Sequence, residues 1–227
     1  MNEMERSRAW SVDLPEGMLH DDEEDLLYDL AKACTGRGVI VEIGSYKGRS
    51  TICLGMGSLE GNKVPIYAID PHDGRDPHDS RTHTGASTLS EFLNNVHRAG
   101  LDDIIHPIVD QSENVASSFA LPVELLFIDG DHAYESVQRD FSMWAPKVIE
   151  NGVIALHDTR CYEGPRKIAA EKMYRSRQFS HVRWVTEISY GKKVIKNKLP
   201  DYYANLLVLG IGSAMNWKWR TRLLWWR

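Results

Sequence analysis

Five short apolar segments recur along the chain, and helix-like segments separate them. Each is short and rich in Val, Ile, Leu or Phe, which predicts a strand buried on both faces of a sheet. The five predicted strands cover residues 39–44, 64–70, 104–110, 123–129 and 152–158, and helical periodicity predicts helices over 21–33, 50–59, 88–100 and 134–149. This alternation predicts an α/β fold, an open and mostly parallel sheet with helices on both faces.

Polar residues end all five predicted strands. Because the carboxyl ends of parallel strands meet at one edge of the sheet, where ligands bind in such folds, these residues are expected to lie together. They are Glu42 to Gly44, Asp70, Asp110, Asp129 and the pair His157 and Asp158.

The segment 42–51 (EIGSYKGRST) carries a glycine-bearing turn into a helix. Gly44 and Gly48 would let the backbone approach a ligand, and the helix N-terminus offers free N–H groups. The three-glycine dinucleotide motif and the Walker motif are both absent, and a tight turn needing glycine remains the alternative. Asp70 ends the next strand, where an acid can accept both hydroxyls of a ribose. Together they favour an adenosine-type ligand.

Two further motifs are rich in metal-ligating side chains. LLFIDGDHAYES (125–136) contains Asp129, Asp131 and His132, and ALHDT (155–159) contains His157 and Asp158. An aspartate after a strand is often only a helix cap, and His157 could be a buried histidine satisfied by backbone. The alternative is that Asp129, His157 and Asp158 hold a divalent ion: a transition metal, or a magnesium-like ion if His157 is not a ligand.

Residues 36–160 resemble class I S-adenosylmethionine-dependent methyltransferases, which implies a Rossmann-like fold with a seven-stranded sheet. The Glu-x-Gly-x-x-x-Gly loop looks like that family's motif for the methionine end of the cofactor. Asp70 matches its ribose-binding acid, and residues 110–112 fall where the family contacts adenine. The resemblance therefore implies cofactor contacts from Glu42, Gly44, Ser45, Gly48, Ser50, Asp70, Asp110, Gln111, Ser112 and Asp129.

Within that family, the two acidic motifs resemble the divalent-metal-dependent O-methyltransferases of the catechol, caffeoyl-coenzyme A and antibiotic-sugar types. The resemblance implies Asp129, His157 and Asp158 as ligands of Mg²⁺ or a transition metal, although many members lack a histidine at the position of His157. The general base of the catechol type falls at His132, and that of the sugar type at Asp131. Both remain candidates, with Asp131 favoured because the DGDHAYES run looks more like the sugar type.

The sequence divides into an N-terminal segment and helix (1–35, a candidate lid), a methyltransferase domain (36–212) and a basic tail (213–227). The polar loop 71–87 is interpreted as a lid or substrate loop, although its histidines leave a zinc site conceivable. Residues 1–159 hold 12 Lys and Arg against 28 Asp and Glu, whereas residues 160–227 hold 15 against 4. The tail NWKWRTRLLWWR (216–227) combines tryptophan with basic residues, which favours either a membrane surface or a partner subunit, and nucleic acid less.

The composition of the sequence indicates the cellular compartment in which the protein is expected. No apolar run is long enough to span a bilayer, the N-terminus shows no secretory signal, and three scattered cysteines suit a reducing compartment. These features predict a cytoplasmic protein, and the tail leaves peripheral contact with a membrane surface open. The expected activity is methylation of a hydroxyl on a small molecule or sugar by a homo-oligomer. The alternatives are a nucleotide-dependent oxidoreductase and a non-catalytic membrane-peripheral or assembly protein.

Overall fold

The computed structural model describes residues 12–76, 79–83 and 87–224. Seven strands form one sheet in the order β5-β2-β1-β6-β7-β9-β8, and the short strands β3 and β4 form a separate hairpin. All pairings in the large sheet are parallel except those of β9, which runs antiparallel between β7 and β8. The predicted fold class is therefore confirmed. The strands are β1 (Val39–Ile43), β2 (Ile66–Ile69), β3 (Arg75–Asp76), β4 (Asp79–His83), β5 (Ile105–Ile108), β6 (Val123–Ile128), β7 (Val148–Leu156), β8 (Phe179–Val185) and β9 (Ile188–Lys193).

Helices cover both faces of the sheet. They are α1 (Asp21–Lys32), α2 (Arg49–Glu60), α3 (Leu89–Arg98), α4 (Ser112–Ser118), α5 (Tyr134–Trp144), α6 (Glu163–Ile168) and α7 (Leu199–Leu224). A 3₁₀ turn (Ala145–Lys147) follows α5, and a π-helical turn (Ala169–Tyr174) follows α6. None of the helices described is long and apolar enough to cross a membrane.

One predicted helix boundary differs from the structure. The helix expected over 134–149 ends at Trp144, and Val148 already belongs to β7. Pro146 explains the difference, because proline has no N–H group to donate to the carbonyl oxygen four residues earlier. Residue 213, where the basic tail is expected to begin, lies within α7.

Alternate residues of the buried strands build two apolar cores, one on each side of the sheet. Ile40 and Phe127 face the core beneath α1, α2 and α3, whereas Val41 and Leu126 face the core beneath α5. Every residue of β6 is buried, which places this strand at the centre of the molecule. Burial on both faces fixes the strand register, because a slip by one residue would exchange the two apolar faces.

The strand register sets the carboxyl ends of the central strands level with one another. Ile43 pairs with Ile69 on one side and with Ile128 on the other, and Ile128 pairs with Leu156. The residues that follow these positions therefore meet at one edge of the sheet. They are Gly44, Asp70, Asp129 and His157.

Candidate active site

A cavity of about 480 Å³ opens at this edge of the sheet. Its volume lies in the range of sites for small molecules and cofactors. Residues from the ends of β1, β2, β6 and β7 line it, and so do residues 110–113 after β5 and residues 16–19 of the N-terminal segment. The cavity therefore joins nearly all of the predicted cofactor and metal residues in one space.

The glycine loop brings backbone against the cavity wall. Gly44 has φ +86°, and a Cβ atom there would lie 2.1 Å from the carbonyl oxygen of Asp129, so only glycine fits. Gly48, with φ +94°, precedes the first residue of α2 and does not itself line the cavity. Ser45 and Ser50 do line it, and the buried Ser45 hydroxyl has no hydrogen-bond partner in the described part of the chain. An unsatisfied buried hydroxyl beside a cavity suits a polar ligand.

Glu42 lies beneath the loop and outside the cavity lining. Its fully buried carboxyl group accepts hydrogen bonds from the hydroxyls of Ser50, at 2.5 Å, and Thr51. Burial raises the pKa of Glu42 to about 8, so the carboxyl is mostly protonated at neutral pH. The structure therefore gives Glu42 a supporting position, tying β1 to the first turn of α2.

Asp70 lines the cavity and holds the loop at the same time. Its two carboxylate oxygens accept hydrogen bonds from the backbone N–H groups of Tyr46 (2.8 Å) and His72 (2.7 Å). Each carboxylate oxygen has further acceptor capacity, which suits the hydroxyls of a ribose.

The predicted adenine contacts border the cavity beyond Asp70. Asp110 accepts hydrogen bonds from the Asn114 side chain and the Gln111 backbone, which lower its pKa. Ser112 donates to the buried carboxyl of Asp140, whose pKa burial raises to about 6. Asp140 was not predicted as a site residue. Its position within the apolar stripe of α5 is visible in the sequence and could have indicated a buried acid.

Three ligating groups converge at the ends of β6 and β7. One atom each from Asp129, His132 and Asp158 lie within 4.8 Å of one another. The His132 Nε2 atom is 2.7 Å from Asp158 Oδ2, and the His132 ring stacks on Tyr162 at 4.0 Å between centroids. Asp158 is buried, but hydrogen bonds from His132 and His157 hold its pKa well below the usual range. The group can hold a divalent cation with two carboxylates and one imidazole.

His157 lies beside this group, not within it. Its buried ring places Nδ1 2.8 Å from Asp129 Oδ1 and 3.4 Å from Asp158 Oδ2, and Nε2 3.5 Å from Glu23 Oε2. Burial disfavours the charged form of His157. The attraction of the three carboxylates, of which Asp129 contributes most, outweighs this effect and raises the pKa of His157 well above its ordinary value. The three ligating groups that converge among the described residues thus include His132 and not the predicted His157.

Glu23 is a buried site residue that the sequence reasoning missed. Besides facing His157, its carboxylate accepts hydrogen bonds from the backbone N–H groups of Glu187 (2.7 Å) and His20 (2.9 Å). Burial opposes ionisation, but these hydrogen bonds and His157 hold the pKa of Glu23 below its usual value. In the sequence, Glu23 is one of four acids at the start of α1, where acidic residues commonly stabilise the helix dipole. The contact with His157 could therefore not be recognised from the sequence.

The two candidate bases differ in their surroundings. Both carboxylate oxygens of Asp131 accept hydrogen bonds, from the Ser136 hydroxyl (2.7 Å) and the Ala133 N–H (3.1 Å), at the start of α5. Burial alone would raise the pKa of Asp131. These hydrogen bonds and the nearby His132 outweigh that effect and lower the pKa. Asp131 and His132 both line the cavity.

Part of each predicted lid borders the cavity. In the N-terminal segment, Glu16 pairs with Lys47 at 3.0 Å, and Arg49 donates to the carbonyl oxygen of Pro15 at 2.9 Å. These contacts attach residues 15 and 16 to the glycine loop and α2, whereas residues 1–11 lie outside the described part. In the loop 71–87, Asp73 and Gly74 line the cavity and β3 and β4 follow. His72 is buried against Thr88, and residues 77, 78 and 84–86 lie outside the described part.

Comparison with known protein families identifies the chain. A family described as a methyltransferase domain matches residues 41–159, a little over half of the sequence. The chain belongs to this methyltransferase family. The match covers the glycine loop, Asp70 and both acidic motifs, and favours a methyltransferase over the oxidoreductase considered above.

Relatives in sequence are distant. An uncharacterized protein of Acanthamoeba polyphaga mimivirus is 27% identical over 125 residues, 54% of this chain and 52% of that protein. An uncharacterized protein of Sinorhizobium fredii is 28% identical over 135 residues, 55% of this chain and 13% of that protein. The matched region thus spans about half of the first relative and a small part of the second.

Solved structures share the fold. The O-methyltransferase NovP superimposes with a TM-score of 0.62 at 18% identity, covering 76% of this chain and 80% of that one. The O-methyltransferase TomG from Streptomyces achromogenes, in complex with S-adenosylmethionine, gives 0.57 at 14% identity, covering 78% and 81%. An O-methyltransferase from Bacillus cereus with bound S-adenosylhomocysteine gives 0.55 at 17% identity, covering 80% and 84%. These likenesses confirm that the chain has the fold of these O-methyltransferases.

Proposed function

We propose that this methyltransferase transfers the methyl group of S-adenosylmethionine to a hydroxyl of a small-molecule acceptor, with a divalent cation at Asp129, His132 and Asp158. The observation that carries the proposal is the convergence of these three groups in the same cavity as the glycine loop and Asp70. When bound, the cofactor supplies an electrophilic methyl group and the cation lowers the pKa of the acceptor hydroxyl.

The residues present fit the cofactor. Gly44 gives close access to backbone, Ser45 offers a hydroxyl that needs a partner, and Asp70 offers acceptor capacity for ribose hydroxyls. Glu42 and Gly48 would act from behind the loop by holding its shape. Gln111 and Ser112 border the part of the cavity where the adenine would lie.

The proposed cation site leaves Asp131 as the base. A ring nitrogen of His132 that ligates the cation cannot also accept a proton, because both roles need the same lone pair. Asp131 has a lowered pKa and stays ionised at neutral pH, so it is a weak base that suits only an acidified hydroxyl. His157, charged and held between Asp129, Asp158 and Glu23, would fix the orientation of both ligand carboxylates.

The proposal is tested by methyl transfer from labelled S-adenosylmethionine to a panel of phenols, sugars and polyketide alcohols, with Mg²⁺ or with a chelator. We expect turnover on at least one hydroxyl acceptor, and we expect chelation to abolish it while S-adenosylhomocysteine still binds in calorimetry. Chelator-resistant turnover would refute the cation assignment. Failure of the chain to bind either form of the cofactor would refute the proposal as a whole.

A further inference from the structure

Helix α7 has an apolar face that no residue of the described chain covers. Tyr203, Leu207 and Ile211, four residues apart, are 62%, 66% and 50% exposed. The opposite face packs on the domain: Val208 and Leu209 contact the core beneath α5, and Asn205 is fully buried, bonded to the backbone of β8. A helix that is apolar on both sides is typically buried on both, so the outer face needs a partner.

The sequence that follows this apolar face is strongly basic. Residues 214–227 contain four tryptophans and four Lys or Arg residues, with no acid.

A second cluster of exposed apolar and basic residues lies just before α7. Ile195 is 79% exposed, and the neighbouring Lys196 and Lys198 are exposed as well. Over residues 160–227 the balance is 15 basic against 4 acidic residues. An exposed apolar side chain thus stands beside exposed lysines just before α7, within a region whose sequence carries an excess of positive charge.

We propose that the outer face of α7 docks the protein on an anionic lipid bilayer surface. Tyr203, Leu207 and Ile211 insert at the boundary between headgroups and acyl chains, and the basic residues contact lipid phosphates. Apolar side chains combined with tryptophan and Lys or Arg are the composition of helices that lie in this interface. A second copy of the chain would bring the same positive charge to the contact, and Leu207 and Ile211 offer nothing to a nucleic-acid backbone.

The test is co-sedimentation of the full chain with phosphatidylcholine vesicles that contain or lack phosphatidylserine. We expect affinity at least about tenfold higher for the anionic vesicles, falling as salt is raised. The double variant Leu207→Glu with Ile211→Glu should lose at least about tenfold in that affinity. Leu121→Glu, a matched change at an exposed apolar residue outside α7, should bind like the wild type.

Equal binding to neutral and anionic vesicles would overturn the proposal. So would undiminished binding of the Leu207→Glu and Ile211→Glu variant, or a dimer in light scattering that this variant converts to a monomer. Tighter binding to a DNA duplex than to anionic vesicles would also overturn it. If that variant fails to fold, Lys218→Glu with Arg222→Glu replaces it, because both positions lie in the tail. Retained preference of this second variant for phosphatidylserine would then refute the proposal.

Discussion

Replacing Glu42 by glutamine should change how the stability of the protein depends on pH. The carboxyl pKa is 4.5 ordinarily and about 8 in the folded chain, because the group is buried between β1 and α2. Between these values the folded state holds a proton that the unfolded state has released. Rising pH therefore destabilises the folded state, and the stability contributed by this proton is lost progressively up to about pH 8.

The size of the effect follows from the shift. Each pH unit in this window lowers the free energy of unfolding by about 1.4 kcal/mol, so about 3 kcal/mol is lost from pH 5 to pH 7. Glutamine has the shape of the protonated carboxyl and can keep the hydrogen bonds with Ser50 and Thr51, but it does not titrate. Glu42→Gln should therefore gain about 3 kcal/mol relative to the wild type over this range.

Urea unfolding at pH 5, 6 and 7, followed by tryptophan fluorescence, measures this difference directly. S-adenosylhomocysteine affinity at pH 7 should be nearly unchanged in Glu42→Gln, because the side chain lies outside the cavity lining. A stability difference constant within about 0.5 kcal/mol across the three pH values would refute the protonated buried carboxyl. A loss of cofactor affinity of about tenfold or more would instead make Glu42 a direct ligand.

The remaining predictions concern the cation site and its supports. Asp158→Asn should weaken Mn²⁺ binding, measured by electron paramagnetic resonance, at least about a hundredfold and leave cofactor affinity intact; unchanged Mn²⁺ affinity would remove Asp158 from the site. Asp131→Ala should lower kcat by about 10²–10⁴-fold with Mn²⁺ affinity retained, whereas His132→Ala should lose both; a fully active Asp131→Ala would make His132 the base. Glu23→Gln should lower Mn²⁺ affinity about tenfold through His157, whereas Asp29→Asn, on the exposed side of the same helix, should not; equal effects would make Glu23 merely structural.

The sequence was sufficient to predict the sheet and the edge that carries the site. Apolar strands such as residues 123–128 are recognisable because burial on both faces removes polar residues from them. Polar residues directly after such strands must then meet at one edge. The hairpin β8–β9 was missed, because its strands mix polar with apolar residues and lie toward one edge of the sheet.

The positions of the two histidines around the carboxylates could not be predicted from spacing. The approach of His132 to Asp158 depends on the turn after β6, where Asp131 accepts the hydrogen bond from Ala133. Glu23 lies more than a hundred positions before His157 in the chain, so only the docking of α1 brings the two together. Such contacts follow from tertiary packing, which local patterns do not encode.

The most direct test of the account is a crystal structure of the chain with S-adenosylhomocysteine and Mn²⁺, with the metal located by anomalous scattering. We expect one anomalous peak in the cavity, within about 2.0–2.4 Å of Asp129, Asp158 and the His132 ring nitrogen, beside the sulfur of the cofactor. Bound cofactor without a peak, or a peak ligated by His157 in place of His132, would contradict the proposed site.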